Sequence, residues 1–326
     1  MRVFVTGAAG FIGANYVHFA LDASDDEITV FDALTYAGNL DNLKDLYDNP
    51  RLKFVRGDIC DREAVRAALA GHDAVIHFAA ESHVDRSIVN PDEFVRTNCL
   101  GTNVMCDEAR RAEVERFLHI STDEVYGSID EGSFRETDPL APRSPYSASK
   151  AGSDLIALAY HETYGLPVVV TRSSNNFGPY QFPEKVVPLF VTNLLDGHKV
   201  PLYGDGLNVR DWCFVEDNCA AVDLVFRKGV IGEVYNIGAG NEVTNRELTD
   251  RLLALCGRDE SSIDYVEDRL GHDRRYSVDI AKIEALGWST RRELGEALEA
   301  TVAWYRDSRW WWEPLKARAA ISKPAS

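Results

Sequence analysis

The sequence is poor in basic residues and has no long apolar run. Lys and Arg number 35 against 52 Asp and Glu, which gives a formal net charge of −17 at pH 7. Nucleic acids and anionic membranes both favour clustered Lys and Arg, so we expect neither as a partner. No apolar stretch approaches the roughly 20 residues that span a bilayer, and glycines interrupt the first apolar segment before it could form a signal peptide. We therefore expect a cytoplasmic protein.

The chain also lacks paired cysteines and metal-binding motifs. Its six cysteines include no Cys-x-x-Cys pair, and no histidines accompany them at zinc-finger spacing. The group His72, His77 and His83 does not follow the helical spacing of a metal site. We expect buried thiols and no bound metal.

A chain of 326 residues suits one large and one smaller domain. In its first half, short β-branched runs alternate with longer amphipathic stretches, which indicates a parallel sheet with helices on both faces. The predicted fold class is α/β, with a doubly wound parallel sheet and a second, smaller mixed α/β domain. The predicted strands are 3–6, 27–31, 52–56, 74–78, 116–121 and 168–171.

The regular alternation ends after Thr171, and a turn-rich stretch follows at 175–188. Residues 215–237 again have the pattern of a helix followed by a strand. The predicted division therefore places the first domain at 1–174 plus about 213–240, the second at about 175–212 and 241–316, and a flexible tail at 317–326.

Three helices have clear sequence boundaries. Asn90-Pro91-Asp92-Glu93 offers an N-cap, a proline in the first turn and an acidic residue for a capping box, which predicts a helix to about Ala112. Ser144-Pro145 starts a second helix that runs to about Tyr164. A third is predicted at about 293–310, and we interpret the tryptophans at its end as packing residues.

A glycine-rich turn, Thr6-Gly7-Ala8-Ala9-Gly10-Phe11-Ile12-Gly13, follows the first predicted strand and opens a helix. Glycines here permit a tight turn and close approach of the backbone to a pyrophosphate, whose charge the helix N-terminus favours. Asp32 ends the second strand, at about the spacing that lets a carboxylate accept from a ribose hydroxyl. These features predict a Rossmann site for NAD, because Asp32 would repel the 2′-phosphate of NADP.

Two further segments follow predicted strands. Asp58 and Ile59 come after the third strand and are predicted to contact the adenine. Residues 79–82 come after the fourth, at the carboxyl edge of the sheet where ligands bind in such folds.

Acid and base groups are concentrated at two further positions. Tyr146 and Lys150 lie one helical turn apart on one face, where the ammonium group would lower the phenol's pKa from its usual value near 10 and make Tyr146 a general base.

Asp123 and Glu124 follow Thr122 at the end of the fifth strand. A simple hydride transfer needs only one proton acceptor, so the carboxylates indicate additional chemistry. Two close carboxyls in a desolvated site do not both ionise cheaply, so one pKa should rise.

Together these features resemble the short-chain dehydrogenase/reductase superfamily, in its extended branch that acts on nucleotide sugars. The finer resemblance is to dTDP-glucose 4,6-dehydratases, over nearly the whole chain. One departure is Leu270, where proline is expected. The matching segments are the glycine turn at 6–13, Ala-Glu-Ser-His-Val-Asp-Arg-Ser at 80–87, Ser-Thr-Asp-Glu-Val-Tyr-Gly at 121–127, Tyr-Ser-Ala-Ser-Lys at 146–150, Ser-Asn-Asn-Phe-Gly-Pro-Tyr-Gln at 174–181, Pro-Glu-Lys at 183–185, Asn-Val-Arg-Asp-Trp at 208–212 and Arg-Leu-Gly-His-Asp-Arg-Arg-Tyr at 269–276.

The resemblance implies NAD-dependent dehydration of dTDP-glucose to dTDP-4-keto-6-deoxyglucose. Tyr146, tuned by Lys150, would take the C4 hydroxyl proton while Thr122 bonds the C4 oxygen. Glu124 would then remove the C5 proton, and protonated Asp123 would donate to the departing C6 hydroxyl before hydride returns to C6. Residue types alone leave open which of the two carboxyls holds the proton at rest.

The predicted ligand contacts fall into two sets, with Arg210 as the expected pyrophosphate ligand and at most one of Arg274 and Arg275 pointing inward. The NAD set is Gly7, Gly10, Phe11, Ile12, Gly13, Asp32, Leu34, Thr35, Asp58, Ile59, Phe78, Ala79, Ala80, Ser82, Thr97, Tyr146, Lys150 and Asn176. The substrate set is Ser82, Thr122, Asn175, Lys185, Val186, Pro201, Tyr203, Arg210, Asn245, Arg269 and His272. The resemblance also implies a homodimer built on the helices at 91–112 and 145–164.

Three alternatives remain open on the sequence. A nucleotide-sugar 4-epimerase would share the cofactor and the Tyr-Lys pair but would not need Asp123 and Glu124. The same dehydration could act on another nucleotide sugar, such as UDP-glucose. A non-catalytic NAD-binding protein would have no reason to keep Tyr146 and Lys150.

Overall fold

The computed structural model describes residues 1–268 and 271–321, with side chains described up to residue 318. Its main element is a seven-stranded sheet in the order β10-β6-β5-β4-β1-β2-β3, with every neighbouring pair parallel. The strands are β1 (Arg2–Thr6), β2 (Glu27–Asp32), β3 (Leu52–Arg56), β4 (Ala74–His77), β5 (Arg116–Thr122), β6 (Val168–Ser173), β7 (Asn175–Phe177), β8 (Val200–Tyr203), β9 (Val209–Phe214), β10 (Val234–Ile237), β11 (Glu242–Thr244) and β12 (Ile263–Val266).

Helices cover both faces of this sheet and surround the smaller ones. Short 3₁₀ segments lie at Leu40–Leu46, Asp123–Tyr126 and Glu260–Ser262, and a π-helical segment at Val95–Gly101. The α-helices are α1 (Phe11–Ala23), α2 (Arg62–Leu69), α3 (Val84–Val89), α4 (Pro91–Phe94), α5 (Thr102–Arg111), α6 (Pro145–Tyr164), α7 (Val186–Leu195), α8 (Val215–Lys228), α9 (Asn245–Leu255), α10 (Ala281–Glu284), α11 (Leu294–Asp307) and α12 (Arg309–Ile321).

The doubly wound sheet confirms the predicted fold class. All six predicted strands form, and the helix and strand predicted within 215–237 are α8 and β10. Strand β10 pairs with β6, so the chain returns to the large sheet after it has formed β7, β8 and β9. The order reverses between β1 and β4, which creates the crevice at the carboxyl edge where such folds bind ligands.

Two helix predictions need correction. The segment after Asn90 is helical to Arg111, but it passes through the π-helical segment, and the Asn90 side chain forms no capping hydrogen bond. The helix predicted at 293–310 is two helices, because α11 ends at Asp307 and α12 begins at Arg309. Helix α12 reaches Ile321, so residues 317–321 of the predicted flexible tail are helical, and residues 322–326 lie outside the described part.

The rest of the chain forms two small sheets around a second core. Strands β11, β9 and β7 form a mixed sheet, and β12 pairs with β8 in parallel. Trp311 and Trp312 are buried in this core at 2% and 0% exposure, whereas Trp310 is 55% exposed. Packing is therefore confirmed for two of the three tryptophans. Within residues 1–268 and 271–321, no helix is long and apolar enough to cross a membrane.

Candidate active site

The glycine-rich turn brings the backbone of β1 against the segment that follows β4. Gly7 has φ +72°, and a Cβ added there would lie 2.5 Å from the Ala79 nitrogen. A Cβ on Gly13 would lie 2.7 Å from the Ala8 Cα. Helix α1 begins with Gly10 at its N-cap and no capping side chain, so the N–H groups of its first turn remain available to an anion.

Asp32 is fixed beside this turn by two backbone N–H groups. Its Oδ2 accepts from the Ala9 nitrogen at 3.0 Å and its Oδ1 from the Leu34 nitrogen at 2.8 Å. Leu34 adopts the left-handed region with φ +55°, which turns the chain back toward the carboxylate. Burial raises the pKa of Asp32, while these two hydrogen bonds oppose the rise. The carboxylate thus has a fixed position at the end of β2.

The turn and Asp32 open into a cavity of about 320 Å³ along the carboxyl edge of the sheet. Most members of the predicted NAD set line this cavity, and the other two lie elsewhere. Leu34 lines a neighbouring pocket, and Asn176, which belongs to β7, lines the second cleft described below. Members of the predicted set that line the cavity are Gly7, Gly10, Phe11, Ile12, Gly13, Asp32, Thr35, Asp58, Ile59, Phe78, Ala79, Ala80, Ser82, Thr97, Tyr146 and Lys150.

Asp58 already has a cationic partner in this cavity wall. It accepts from the Cys60 nitrogen at 2.8 Å and from Nη2 of Arg96 at 2.7 Å. Burial raises its pKa, but the hydrogen bonds from Cys60 and Arg96 outweigh burial and hold the pKa below its usual value. The predicted contact of Asp58 with adenine stays a prediction.

Helix α6 positions Tyr146 and Lys150 at the inner end of the cavity. Ser144 starts the helix with a capping box to Ser147, and Tyr146 and Lys150 are 8% and 5% exposed. Nζ of Lys150 donates to the Ile120 carbonyl oxygen at 2.7 Å. The predicted one-turn arrangement on a buried helical face is therefore present.

The expected lowering of the Tyr146 pKa is not present. Burial raises it first of all and the charge of Glu124 raises it further, while a hydrogen bond with Thr122 opposes them. Lys150 is not among the groups that shift the Tyr146 pKa most. Burial also lowers the pKa of Lys150 to about 8.

Asp123 and Glu124 occupy the short helical turn after β5 and have different surroundings. Thr122 joins them, because its Oγ1 donates to Oδ1 of Asp123 at 3.2 Å and accepts from the Glu124 nitrogen at 3.3 Å. Asp123 is 3% exposed, and burial, followed by the charges of Glu124 and Asp211, raises its pKa to about 8. A pKa raised to about 8 favours the protonated form of Asp123 near neutral pH.

Glu124 faces a second cleft, of about 200 Å³, that adjoins the first cavity. Gln181, Glu184 and Lys185 line both. Two described members of the predicted substrate set are not on its wall, because Ser82 lines the first cavity and Thr122 lines neither. Arg269 and Leu270 lie outside the described residues. Those on its wall are Asn175, Lys185, Val186, Pro201, Tyr203, Arg210, Asn245 and His272.

Arg210 supplies a buried cation to this cleft. It is 4% exposed, its guanidinium donates to the carbonyl oxygens of Val209 and Asp273 at 2.7 and 2.8 Å, and it lies 4.1 Å from the Tyr276 ring centroid. Such contacts hold the planar guanidinium in one orientation, which suits paired hydrogen bonds to phosphate.

The two neighbouring arginines on this segment have acidic partners of their own. Arg274 pairs with Asp205 at 2.9 Å, and Arg275 pairs with Glu242 at 2.7 Å. Neither lines the second cleft.

Sequence reasoning missed several residues that line the second cleft. Tyr276 and Trp212 lie in segments that were matched to the family but were not selected. Their aromatic side chains close to Arg210 could have indicated a role. His83, Gln181 and Glu184 also lie in matched segments that were not selected, and the fold brings them to the cleft from separate loops.

Comparison with known proteins places the chain in a family. The family model described as GDP-mannose 4,6 dehydratase matches residues 4–301. The chain belongs to this family. A dTDP-glucose 4,6-dehydratase of Streptomyces antibioticus is 59% identical over 98% of this chain and 97% of its own length. A protein of Haloferax volcanii named low-salt glycan biosynthesis protein Agl12 is 54% identical over 94% of this chain and 98% of its own.

Solved structures show the same architecture. The dTDP-glucose 4,6-dehydratase DesIV of Streptomyces venezuelae, crystallised with NAD and dTDP, has a TM-score of 0.95 and 55% identity, and the match covers 97% of this chain and all of the other. A UDP-glucose 4-epimerase of Thermotoga maritima has a TM-score of 0.88 and 32% identity over 95% of this chain and 100% of its own. The fold is thus shared with epimerases, and the resemblance in sequence is greater to the dehydratases.

Proposed function

We propose that this protein is an NAD-dependent hydro-lyase that converts dTDP-glucose to dTDP-4-keto-6-deoxyglucose. The observation that carries the proposal is the pair of adjacent carboxyls after β5, of which Asp123 is buried with a pKa raised to about 8 while Glu124 lines the cleft. One acid and one base beside Tyr146 are the groups that elimination of water needs and hydride transfer alone does not. The dehydratases among the relatives support the nucleotide and the sugar.

The first cavity fits NAD. Side chains at Gly7 and Gly13 would collide with the backbone at Ala79 and Ala8, so these glycines permit the tight turn that borders the cavity, and the uncapped start of α1 provides N–H donors. Asp32 would hold the ribose hydroxyls. NAD, when bound, supplies an acceptor for hydride and afterwards its donor.

Tyr146 and Thr122 act on the C4 hydroxyl of the sugar. Tyr146 takes the hydroxyl proton as C4 is oxidised, and Thr122, which is bonded to both Tyr146 and Asp123, orients the oxygen. Lys150 provides the nearby positive charge. The resulting 4-ketone makes the C5 hydrogen acidic.

Glu124 and Asp123 then divide the elimination between them. Glu124 removes the C5 proton as a carboxylate, and a proton would return to C5 once hydride has returned to C6. Asp123 donates its proton to the C6 oxygen, which leaves as water, and Oδ2 of Asp123 is buried with no hydrogen-bond partner among the described residues. A 4-epimerase needs neither step, so the carboxyl pair favours the dehydratase over that alternative.

The test is incubation of the purified protein with dTDP-glucose, UDP-glucose and GDP-mannose in parallel, followed by mass spectrometry. Loss of one water from dTDP-glucose is expected. Loss of water only from UDP-glucose would replace the proposed nucleotide. A product of unchanged mass whose NMR spectrum shows the inverted C4 configuration would favour a 4-epimerase.

The oligomeric state and the cellular compartment are also part of the proposal. Large apolar side chains are exposed on the helical segments at 84–111 and 145–164, namely Ile88, Val89, Val95, Leu100, Leu155 and Tyr164. Their exposure on neighbouring helices supports a homodimer, because large exposed apolar side chains are common at interaction sites. All six cysteines are thiols, which suits a reducing compartment such as the cytoplasm. The predicted domain boundaries, with the large sheet in the cofactor domain, also belong to this proposal.

A further inference from the structure

Tyr36, Arg86 and Glu184 meet from three separate segments. Tyr36 lies in the loop after β2, Arg86 in α3, and Glu184 in the loop before α7. The Arg86 guanidinium lies 3.8 Å from the Tyr36 ring centroid, and its Nε and Nη2 donate to Oε2 of Glu184 at 3.1 and 3.0 Å. One arginine therefore connects both loops.

These contacts lie at the wall of the proposed NAD cavity. Tyr36 and Glu184 both line it, and so does Phe182, whose ring packs edge-on against Tyr36 with centroids 5.6 Å apart. Close by, Nζ of Lys185 donates to the Ser82 carbonyl oxygen at 2.7 Å. The loop before α7 is thus joined at two adjacent residues to the segment that contains Ser82 and Arg86.

The environment makes the central ion pair stronger than an ordinary surface pair. The Glu184 side chain is only 13% exposed and that of Arg86 32%. Oε1 of Glu184 is buried without a hydrogen-bond partner in the part of the chain that the structure describes, and Nε2 of His83 lies 3.9 Å from it. Loss of Arg86 would therefore remove the two arginine N–H donors of a largely buried carboxylate. Burial raises the pKa of the Tyr36 phenol, and the charge of Glu184 raises it further, so Tyr36 stays neutral.

We propose that Tyr36, Arg86 and Glu184 form a latch that retains the dinucleotide by joining the two walls of its cavity. This inference rests on the proposed function, since it requires NAD in the cavity. The bound dinucleotide leaves when the loops separate, and separation breaks the Arg86–Glu184 pair and the contact of Arg86 with Tyr36. The latch therefore acts on the rate of cofactor release, and none of its residues takes part in the proton transfers.

The test compares exchange of bound NAD for isotope-labelled NAD in the wild type and in Glu184→Gln, Arg86→Ala and Tyr36→Phe, with the protein-bound cofactor measured by mass spectrometry. Exchange should be at least about 10-fold faster in Glu184→Gln and Arg86→Ala, since about 1.4 kcal/mol corresponds to each factor of ten. Tyr36→Phe keeps the ring beneath Arg86 and should change exchange less. Combining Glu184→Gln with Arg86→Ala should add little to either alone, because the two residues share one interaction.

Arg292→Ala is the matched control. Arg292 also pairs with a glutamate, Glu216 at 3.1 Å, and lies 5.0 Å from the Phe214 ring, but it lines none of the described cavities. Its exchange rate should equal the wild type's. Wild-type exchange rates in both Glu184→Gln and Arg86→Ala would overturn the latch alone, whereas a wild-type protein that binds no NAD would overturn the latch and the proposed function together.

Discussion

Nζ of Lys150 donates to the carbonyl oxygen of Ile120 at 2.7 Å, which joins α6 to β5 just before that strand ends at Thr122. The same strand end carries Asp123 and Glu124 on its following turn. This hydrogen bond therefore fixes the position of the Tyr-Lys pair relative to the carboxyl pair. Under the proposed function, this arrangement would let the C4 oxidation and the elimination at C5 and C6 occur on one bound sugar.

The double variant Asp123→Asn with Glu124→Gln should oxidise C4 and stop there. It keeps Tyr146 and Lys150 but lacks both the acid and the base of the elimination, each of which contributes about 10²- to 10⁴-fold in rate. Reduced nicotinamide should accumulate on the protein, as measured by its absorbance, while mass spectrometry shows no loss of water. Full dehydration by this variant would disprove the proposed roles. Tyr146→Phe is the comparison, since it should form neither reduced nicotinamide nor product.

Dehydration should also slow as the pH rises through about 8. Asp123 donates a proton only in its neutral form, and burial with the nearby charges of Glu124 and Asp211 raises its pKa to about 8. Well above that value the neutral fraction falls about tenfold per pH unit. The rate of water loss at saturating dTDP-glucose is measured from about pH 6 to about pH 10, a range that extends roughly two pH units on either side of this pKa.

Lys150 has a pKa lowered to about 8 as well, so the two groups must be separated. Loss of the Lys150 charge would slow the C4 oxidation, and reduced nicotinamide would then decline. Loss of the Asp123 proton would slow the elimination after that oxidation, so reduced nicotinamide would accumulate at high pH. Accumulation is the expected result, and a decline in both signals would contradict the assignment to Asp123.

The sequence predicts the large sheet and the cofactor turn well because both depend on local patterns. Buried parallel strands are continuous apolar runs, and the Gly7 turn requires glycine for its own φ and for the approach of Ala79. The division of α11 from α12 at Ser308 is less visible in the sequence. The polar run Arg-Asp-Ser-Arg at 306–309 separates the aromatic residues of the two helices, but it contains no Gly or Pro that would mark a helix end.

The electrostatics of the site were less predictable. The pKa of Tyr146 is set by burial and by Glu124, and Lys150 is bonded to a backbone carbonyl that spacing along a helix cannot reveal. The position of Asn176 is also set by the fold, because strand β7 places this residue in the second cleft. Glu184 and Arg86 meet only through the fold. A prediction from a single motif succeeds when all the contacting residues lie within that motif. These contacts were not predicted, because their residues come from several segments of the chain.

Asp32→Asn should weaken NAD binding and reduce discrimination against NADP. The carboxylate accepts from the Ala9 and Leu34 nitrogens, and an amide keeps one acceptor but loses the charge that repels a 2′-phosphate. A charge-assisted hydrogen bond is about twice as strong as a neutral one, so we expect roughly 10-fold weaker binding of NAD. Titration of the cofactor-depleted protein with both dinucleotides measures this ratio. An unchanged preference would place the ribose away from Asp32.

Leu155→Glu should dissociate the proposed homodimer. Leu155 is 59% exposed on α6, and a charge in the centre of an apolar interface is costly to desolvate. Light scattering should show half the wild-type mass for the variant. Val230→Glu is the control, because Val230 is equally exposed at 59% but lies between α8 and β10, away from the helical face. Dissociation by the control alone would place the interface elsewhere.

Gly7→Ala should abolish NAD binding, whereas Gly132→Ala should not. Both glycines have positive φ, +72° and +76°, so each alanine bears a similar backbone cost of about 1–2 kcal/mol. They differ in surroundings, since a Cβ at Gly7 would lie 2.5 Å from the Ala79 nitrogen and one at Gly132 would have nothing within 4 Å. The Gly7 variant must therefore push β1 away from the segment after β4 and open the bottom of the cofactor cavity. Thermal unfolding measures the backbone cost that the two variants share, and cofactor titration measures the difference in their NAD affinities. Equal NAD affinities in the two variants would show that the close approach of Gly7 to Ala79 is not needed for binding.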